Sequence, residues 1–198
     1  MMKLASILFS MMLVNNYVLV KFMGICPFLG VSKKLDSSVG MSVAVTFVMV
    51  MATAVTWPIY TYLLRPNDLA YLNTISFILV IAALVQLVEI ILKKFIPALH
   101  RSLGVYLPLI TTNCAILGVT LLNIDNGYNF IESIVASLGA GIGFLIAMVL
   151  FTGVRSTLEY AQPPKSFEGL PITLISASLV SVSFMGFGGI IESLFGTF

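Results

Sequence analysis

The sequence predicts an all-α polytopic membrane protein in which six transmembrane helices form two inverted three-helix repeats, with helices one and four broken. Three observations support this fold class. The composition is too apolar for water, the chain contains six long apolar segments, and a cysteine motif occurs twice with opposite membrane polarity. All 198 residues form one predicted membrane domain, with repeat one at about 1–95 and repeat two at about 96–198.

The composition predicts that lipid is the solvent of this chain. Hydrophobic residues make up 59% of it and charged residues only 9%, and the mean hydropathy is +1.08. Soluble domains carry roughly 25% charged residues. The net charge of +2 does not indicate nucleic-acid binding, because the basic residues are scattered between apolar runs. The sequence also contains no phosphate-binding loop, no dinucleotide fingerprint and no zinc ligand set.

Six apolar segments account for most of the chain. Each can cross about 30 Å of hydrocarbon at about 1.5 Å per residue, and none alternates as a lipid-facing barrel strand would. Segments one to six cover 4–31, 39–64, 70–92, 103–122, 131–154 and 170–191. Segment one resembles a signal peptide, but it lacks a convincing cleavage site and stays apolar through the first cysteine. We therefore interpret it as part of the fold.

The distribution of basic residues predicts the orientation. The loops 32–38, 93–102 and 155–169 carry seven of the ten Lys and Arg residues, whereas the opposite side has Lys3 and Arg65. Positively charged loops stay in the cytoplasm. We therefore expect these three loops inside the cell and both termini outside. Trp57 lies shortly before Arg65, where an outer aromatic belt is expected.

The only two cysteines, Cys26 and Cys114, occupy the same motif. GICPFLGVS (24–32) and NCAILGVT (113–120) share the pattern C-x-x-L-G-V-[ST]. The copies lie in segments one and four, which cross the membrane in opposite directions. This is the signature of an inverted-topology repeat, whose functional centre lies near the midplane on broken helices. Both copies contain or adjoin helix-breaking residues, namely Gly24, Pro27, Gly30, Pro108 and Gly118.

Two cysteines that face each other in lipid have several interpretations. Free cysteines are often small buried hydrophobes. A redox disulfide is disfavoured, because membrane thiol oxidoreductases hold their pair near the aqueous face, commonly as C-x-x-C. With no histidine or carboxylate nearby in sequence, thiolates favour a soft metal or an iron–sulfur cluster. A cluster usually needs four ligands and this chain supplies two, so a second polypeptide, most economically a homologue, would supply the others.

The residues around both cysteines resemble a known family. VKFMGICPFLGVSKK (20–34) and LPLITTNCAILGV (107–119) closely resemble the A subunit of the Rnf complex and, more distantly, the E subunit of the sodium-translocating NADH:quinone oxidoreductase. The resemblance covers essentially the whole chain, including FMGFGG (184–189). It implies a complex in a bacterial or archaeal cell membrane that transfers electrons between reduced ferredoxin and NAD+ while moving Na+ or H+.

The resemblance also implies a cofactor and a partner. In that family, Cys26 and Cys114 would be ligands of an intramembrane [2Fe–2S] cluster, shared with the homologous Rnf E subunit in inverted orientation. This chain would be one component of the translocase, beside the other Rnf subunits, without a complete active site of its own. The sequence leaves two other classes open. An inverted-repeat secondary transporter would need no metal, and a structural scaffold would need neither cysteine.

Two charged residues within apolar segments are further candidates. Lys21 lies one and a half turns before Cys26 if the segment is helical, and a lysine in lipid is costly enough to suggest a function. It either balances the charge of a cluster or extends to the interface. Glu89 lies four residues before Lys93, which predicts an interfacial ion pair. The alternative is an ion relay with Gln86.

Gly139 and Gly143 form a G-x-x-x-G pattern in segment five. Such patterns allow close packing of membrane helices. We expect a structural role, which includes contact with a partner subunit as one possibility.

Overall fold

The structure is a computed structural model that describes residues 2–32, 35–67, 70–95, 107–158, 160 and 164–195. Within these residues the chain is helical and contains no strand, which confirms the all-α fold class. The helices are α1 (Met2–Phe9), α2 (Ile25–Val31), α3 (Leu35–Ile59), α4 (Asn73–Phe95), α5 (Leu107–Thr111), α6 (Cys114–Asp125), α7 (Phe130–Leu158) and α8 (Leu170–Phe195). A π-helical turn continues α1 over Ser10–Val14, and another continues α3 over Tyr60–Leu64.

Three of the predicted segments form long helices, even where they contain glycine or proline, as at Pro58 in α3. Leu35–Leu64, Asn73–Ile91 and Phe130–Leu158 are long and apolar enough to cross a membrane, by length and composition. Shorter apolar helices cover Lys3–Val14, Leu109–Asp125 and Leu170–Gly186. Segments one and four are interrupted, the first over residues 15–24 and the second at residues 112–113. The predicted start of segment four, as well as residues 33–34 and 96–102 of the predicted cytoplasmic loops, lies outside the described residues.

Helix α7 is the centre of the fold. It packs along α3 and also contacts α1, α6 and α8. A Cβ atom on Gly139 would lie 2.9 Å from the Leu8 carbonyl oxygen, and one on Gly143 would lie 2.9 Å from the Met12 carbonyl oxygen. The G-x-x-x-G face therefore packs against the first segment of the same chain, because only glycine leaves room for that backbone. The suggested contact of this face with a partner subunit is wrong.

Polar contacts between segments occur at both ends of helix α7. At one end, Lys3 Nζ lies 2.7 Å from Glu132 Oε1, and Trp57 Nε1 donates a hydrogen bond to the Tyr128 carbonyl oxygen at 3.0 Å. At the other end of α7, Arg155 contacts the residues that follow the first cysteine motif. Ser32 and Arg155, which belong to two of the predicted cytoplasmic loops, thus lie together at the end of α7 opposite to Lys3 and Glu132.

Candidate functional site

The interruption of segment one is organised by Asn16, which is fully buried. Its Nδ2 donates to the Gly143 carbonyl oxygen at 2.9 Å, and its Oδ1 accepts from the backbone N–H of Val18 at 3.0 Å and of Leu19 at 3.3 Å. A buried backbone donor that leaves a helix needs another partner. Asn16 provides it and attaches the interruption to α7. The sequence signal for this role is a polar residue inside an apolar segment, which we did not single out.

Gly24 ends the interruption and allows the two motifs to touch. Its φ of 90° lies in the left-handed region, which glycine adopts without steric cost. A Cβ atom here would lie 3.1 Å from Ala115 Cβ and 3.2 Å from both Asn113 Oδ1 and Phe144 Cε2. The first motif therefore approaches the second one closely because residue 24 has no side chain.

Asn113 starts the helix that carries the second cysteine. Its backbone is extended, with φ −73° and ψ 111°, and its Oδ1 accepts the N–H of Ala115 at 3.0 Å. This is a helix N-cap, a position at which asparagine is strongly preferred. Cys114 is the first residue of α6 as a result. An asparagine directly before an apolar run is a sequence signal for a helix start, and it could have identified this residue.

The two cysteine motifs meet at a direct contact. The N–H of Gly24 donates to Cys114 Sγ at 2.8 Å. Cys26 follows Gly24 by two residues. Because consecutive Cα atoms are about 3.8 Å apart, the Cα of Cys26 lies at most about 12 Å from Cys114 Sγ. Both thiols are exposed, and each lies in the first turn of its helix. Exposure argues against the alternative that the cysteines are small core hydrophobes, which are usually buried.

The short helix α2, which carries Cys26, is held against the far end of α7. Arg155 Nη1 donates to the Leu29 carbonyl oxygen at 2.6 Å and to Ser32 Oγ at 2.8 Å. The rings of Phe28 and Phe151 stack with centroids 4.2 Å apart. A cation at a helix C-terminus satisfies orphan carbonyl groups and the helix dipole. In the sequence, Arg155 is recognisable only as one of the charges that set the topology, because its partner lies far away in the chain.

The site contains two cysteine sulfurs, an atom type that binds soft metals. Within the described ranges, no group of three or more His, Cys, Asp or Glu residues is placed to hold a metal ion. Thiolate sulfur suits iron–sulfur chemistry, and the exposed position of both thiols leaves them accessible to groups from another chain.

Residues 4–191 match the family model described as "Rnf-Nqr subunit, membrane protein". The chain belongs to the Rnf-Nqr family of membrane subunits. This confirms the family resemblance that the two cysteine motifs indicated.

Rnf-Nqr relatives match nearly the whole chain. This chain is 57% identical over 188 residues to the A subunit of the Na+-translocating ferredoxin:NAD+ oxidoreductase complex of Acetobacterium woodii. The aligned region covers 95% of this chain and 98% of the relative. The chain is 52% identical over 191 residues to the A subunit of the ion-translocating oxidoreductase complex of Syntrophotalea carbinolica, covering 96% and 99%. The corresponding A subunit of Serratia proteamaculans is 56% identical over 180 residues, covering 91% and 93%.

Lys21 has a different position in this Rnf-Nqr protein than its spacing predicted. It lies within the interruption of segment one, so the helical distance of one and a half turns to Cys26 is wrong. The breaker Gly24 is the last residue of a longer non-helical stretch that begins at Asn15, whereas Pro27 lies within α2. The Lys21 ammonium lies 5.4 Å from the centroid of the Tyr17 ring, a cation–π distance. Its charge-balancing role stays a prediction.

Glu89 does not form the predicted ion pair with Lys93. Both residues lie in the part of the chain that the structure describes, and in that part the ion pair is the one between Lys3 and Glu132. Lys93 is exposed on α4, where solvation of separate charges competes well with an exposed ion pair. Gln86 is exposed as well, and the alternative of an ion relay between Gln86 and Glu89 stays a prediction.

Proposed function

We propose that this chain is a membrane subunit of an ion-translocating ferredoxin:NAD+ oxidoreductase complex and supplies Cys26 and Cys114 as two of the four ligands of an intramembrane [2Fe–2S] cluster. The single observation that carries the ligand assignment is the contact between the Gly24 N–H and Cys114 Sγ. It joins the two motifs while both thiols remain exposed. The family match and the names of the relatives support the assignment to such a complex.

The residues present fit half of such a site. Both candidate ligands are cysteine sulfurs, and a backbone N–H already donates to one of them. Hydrogen bonds to sulfur raise the reduction potential of an iron–sulfur cluster. When bound, the cluster would supply a one-electron relay within about 30 Å of lipid hydrocarbon. The two missing ligands would come from the homologous Rnf E subunit, which would lie in inverted orientation.

The chain's own residues position the two sulfurs. Asn113 starts α6 at Cys114, and Arg155 holds the end of α2 opposite to Cys26. The Arg155 hydrogen bonds limit movement of α2 relative to α7, and the Asn113 cap fixes where α6 begins. The protein's contribution to electron transfer in this proposal is the fixed placement of two thiolates beside a partner.

The inverted arrangement of six crossings forms part of the proposal. Residues 1–95 and 96–198 would form the two repeats. Both interruptions lie in the segments that carry a cysteine, and each cysteine lies in the first turn of the helix after its interruption. The loops 32–38, 93–102 and 155–169 would face the cytoplasm of a bacterial or archaeal cell, with both termini outside.

Reporter fusions test this orientation. A fusion after Lys34 should report a cytoplasmic location and a fusion after Asn126 an external one, because an odd number of crossings separates them. A phosphatase reporter, active outside, and a fluorescent reporter, active inside, provide opposite signals at each position. Equal signals at both positions would remove the inverted repeat from the proposal.

Iron analysis of the isolated chain and of the co-purified pair tests the shared site. The chain alone should lack a stoichiometric cluster, since two thiolates leave iron without enough ligands. Co-purified with the E subunit of the same complex, it should show visible absorption and an electron paramagnetic resonance signal after reduction. A full complement of iron and sulfide on a monomeric chain contradicts the shared site. A colourless pair that still transports ions would favour the metal-free transporter.

A further inference from the structure

Asn113 has a buried hydrogen-bond donor without a partner. The residue is 4% exposed, and its Oδ1 is occupied by the cap bond to Ala115. Its Nδ2 is buried and donates to no acceptor among the described residues. A buried donor left unpaired carries the full cost of its desolvation. The capping role therefore explains Oδ1 of this amide group and leaves Nδ2 unexplained.

The unpaired amide lies directly beside the contact between the motifs. Asn113 precedes Cys114, and its Oδ1 lies 3.2 Å from the position that a Cβ atom on Gly24 would take. The N–H of Gly24 is itself 2.8 Å from Cys114 Sγ. The first motif has Ile25 at the corresponding position, so only the second motif offers a side-chain donor next to its cysteine.

Other asparagines in the described core do not share this property. Asn16 uses both of its amide atoms in hydrogen bonds. Asn73 and Asn123 have an unpaired Oδ1, which is an acceptor. Among these buried amides, Asn113 alone has a free donor. A free donor beside a cysteine matches the anionic acceptor that its sulfur would be as a metal ligand.

We infer that Asn113 is a positioning residue that also sets the reduction potential at Cys114: its Nδ2 donates to Cys114 Sγ when that sulfur is a ligand of the iron–sulfur group. This inference rests on the proposed function. The Nδ2 atom has almost no accessible surface, so its acceptor would be a group that packs directly against Asn113, as the neighbouring cysteine can. Donors around metal-bound sulfur stabilise the reduced, more negative state. Asn113 and Gly24 would then form a pair of donors on one side of the cluster only.

Substitutions that keep the helix cap separate this role from folding. Asn113→Ser removes Nδ2 and adds no charge, and Asn113→Asp removes Nδ2 and adds a negative charge. Serine and aspartate both cap helices as well as asparagine does. Asn126→Asp is the matched control, because Asn126 is exposed and lies at the other end of α6.

The measurement is a redox titration of the purified complex, followed by the resonance signal of the reduced cluster, together with iron content. We expect Asn113→Ser to shift the potential downwards with wild-type iron, Asn113→Asp to shift it further, and Asn126→Asp to leave it unchanged. A wild-type potential in both Asn113 variants with full iron overturns the inference and leaves the shared cluster intact. Loss of iron from both cap-preserving variants assigns Asn113 to structure alone and also overturns it. Absence of a cluster from the wild-type complex is the separate failure of the proposed function.

Discussion

Cys26→Ser and Cys114→Ser should each remove the cluster from the assembled complex. A serine hydroxyl binds iron poorly at neutral pH, so either change leaves three ligands of four. The loss should exceed the roughly 10- to 100-fold fall in metal affinity that changes around metal ligands cause. Since the cluster is one unit, the double variant should lose about as much as either single one. Iron content and the reduced-cluster resonance signal measure this effect.

Activities of the same preparations localise the defect. Ferredoxin-dependent NAD+ reduction and ion transport should fall together, because both would depend on electron transfer through this site. Electron uptake by the soluble, cofactor-bearing subunits should survive, since their centres lie on their own side of the gap. Wild-type iron content and signal in both single variants would show that the ligand assignment is wrong, and the cysteines would then be small apolar side chains.

Gly24→Ala should disrupt the same site without touching a ligand. The left-handed φ of 90° at this position costs an alanine about 1–2 kcal/mol. The added methyl group would meet Ala115, Asn113 and Phe144 at 3.1–3.2 Å, and such overpacking costs about 1–3 kcal/mol. The least costly relaxation moves residue 24 away from α6 and lengthens the hydrogen bond to Cys114 Sγ. We expect a lower thermal unfolding temperature, and either a lower reduction potential or loss of iron.

Gly30→Ala is the matched control for this change. Gly30 belongs to the same motif, and a Cβ atom there would meet nothing within 4 Å. Its backbone is helical, where alanine is favoured over glycine by roughly 1 kcal/mol. This variant should keep the wild-type potential and iron content. Equal behaviour of the Gly24 and Gly30 variants would mean that the close approach of the two motifs is unnecessary for the site.

The fold class, and a break in each of the two segments that carry a cysteine, could be predicted because apolar runs and nearby breakers are local signals. The exact positions of the breaks could not, because Gly24 lies in an interruption, whereas Pro27, Gly30, Pro108 and Gly118 lie within helices. The length of the first interruption could not be read in this way. It begins at Asn15, before any breaker, since Asn16 offers hydrogen bonds that compete with the helix. The expected helical position of Lys21 failed for this reason.

The contacts that build the site depend on residues far apart in sequence. Asn16 and Gly143 are joined by a hydrogen bond, as are Arg155 and Leu29, and no periodicity or spacing encodes such pairs. Asn113 is different, because the N-cap signal was present beside the second cysteine and could have been used. Glu89 is the opposite case, in which a sequence signal was present and the predicted contact did not form. Favourable i,i+4 spacing is satisfied on α4, yet spacing alone does not form an ion pair at an exposed surface.

The bond between Arg155 and the end of α2 has a mechanical consequence. Moving α2 means either breaking two hydrogen bonds from one guanidinium or carrying α7 along. From Arg155 to Glu132 a helix rises by about 35 Å at about 1.5 Å per residue, and Glu132 is paired with Lys3 at the opposite end. Helix α7 thus connects the Cys26 helix, bonded near its C-terminal end, to the start of the chain, bonded near its N-terminal end. A displacement of either attached segment therefore strains contacts at both ends of the same helix.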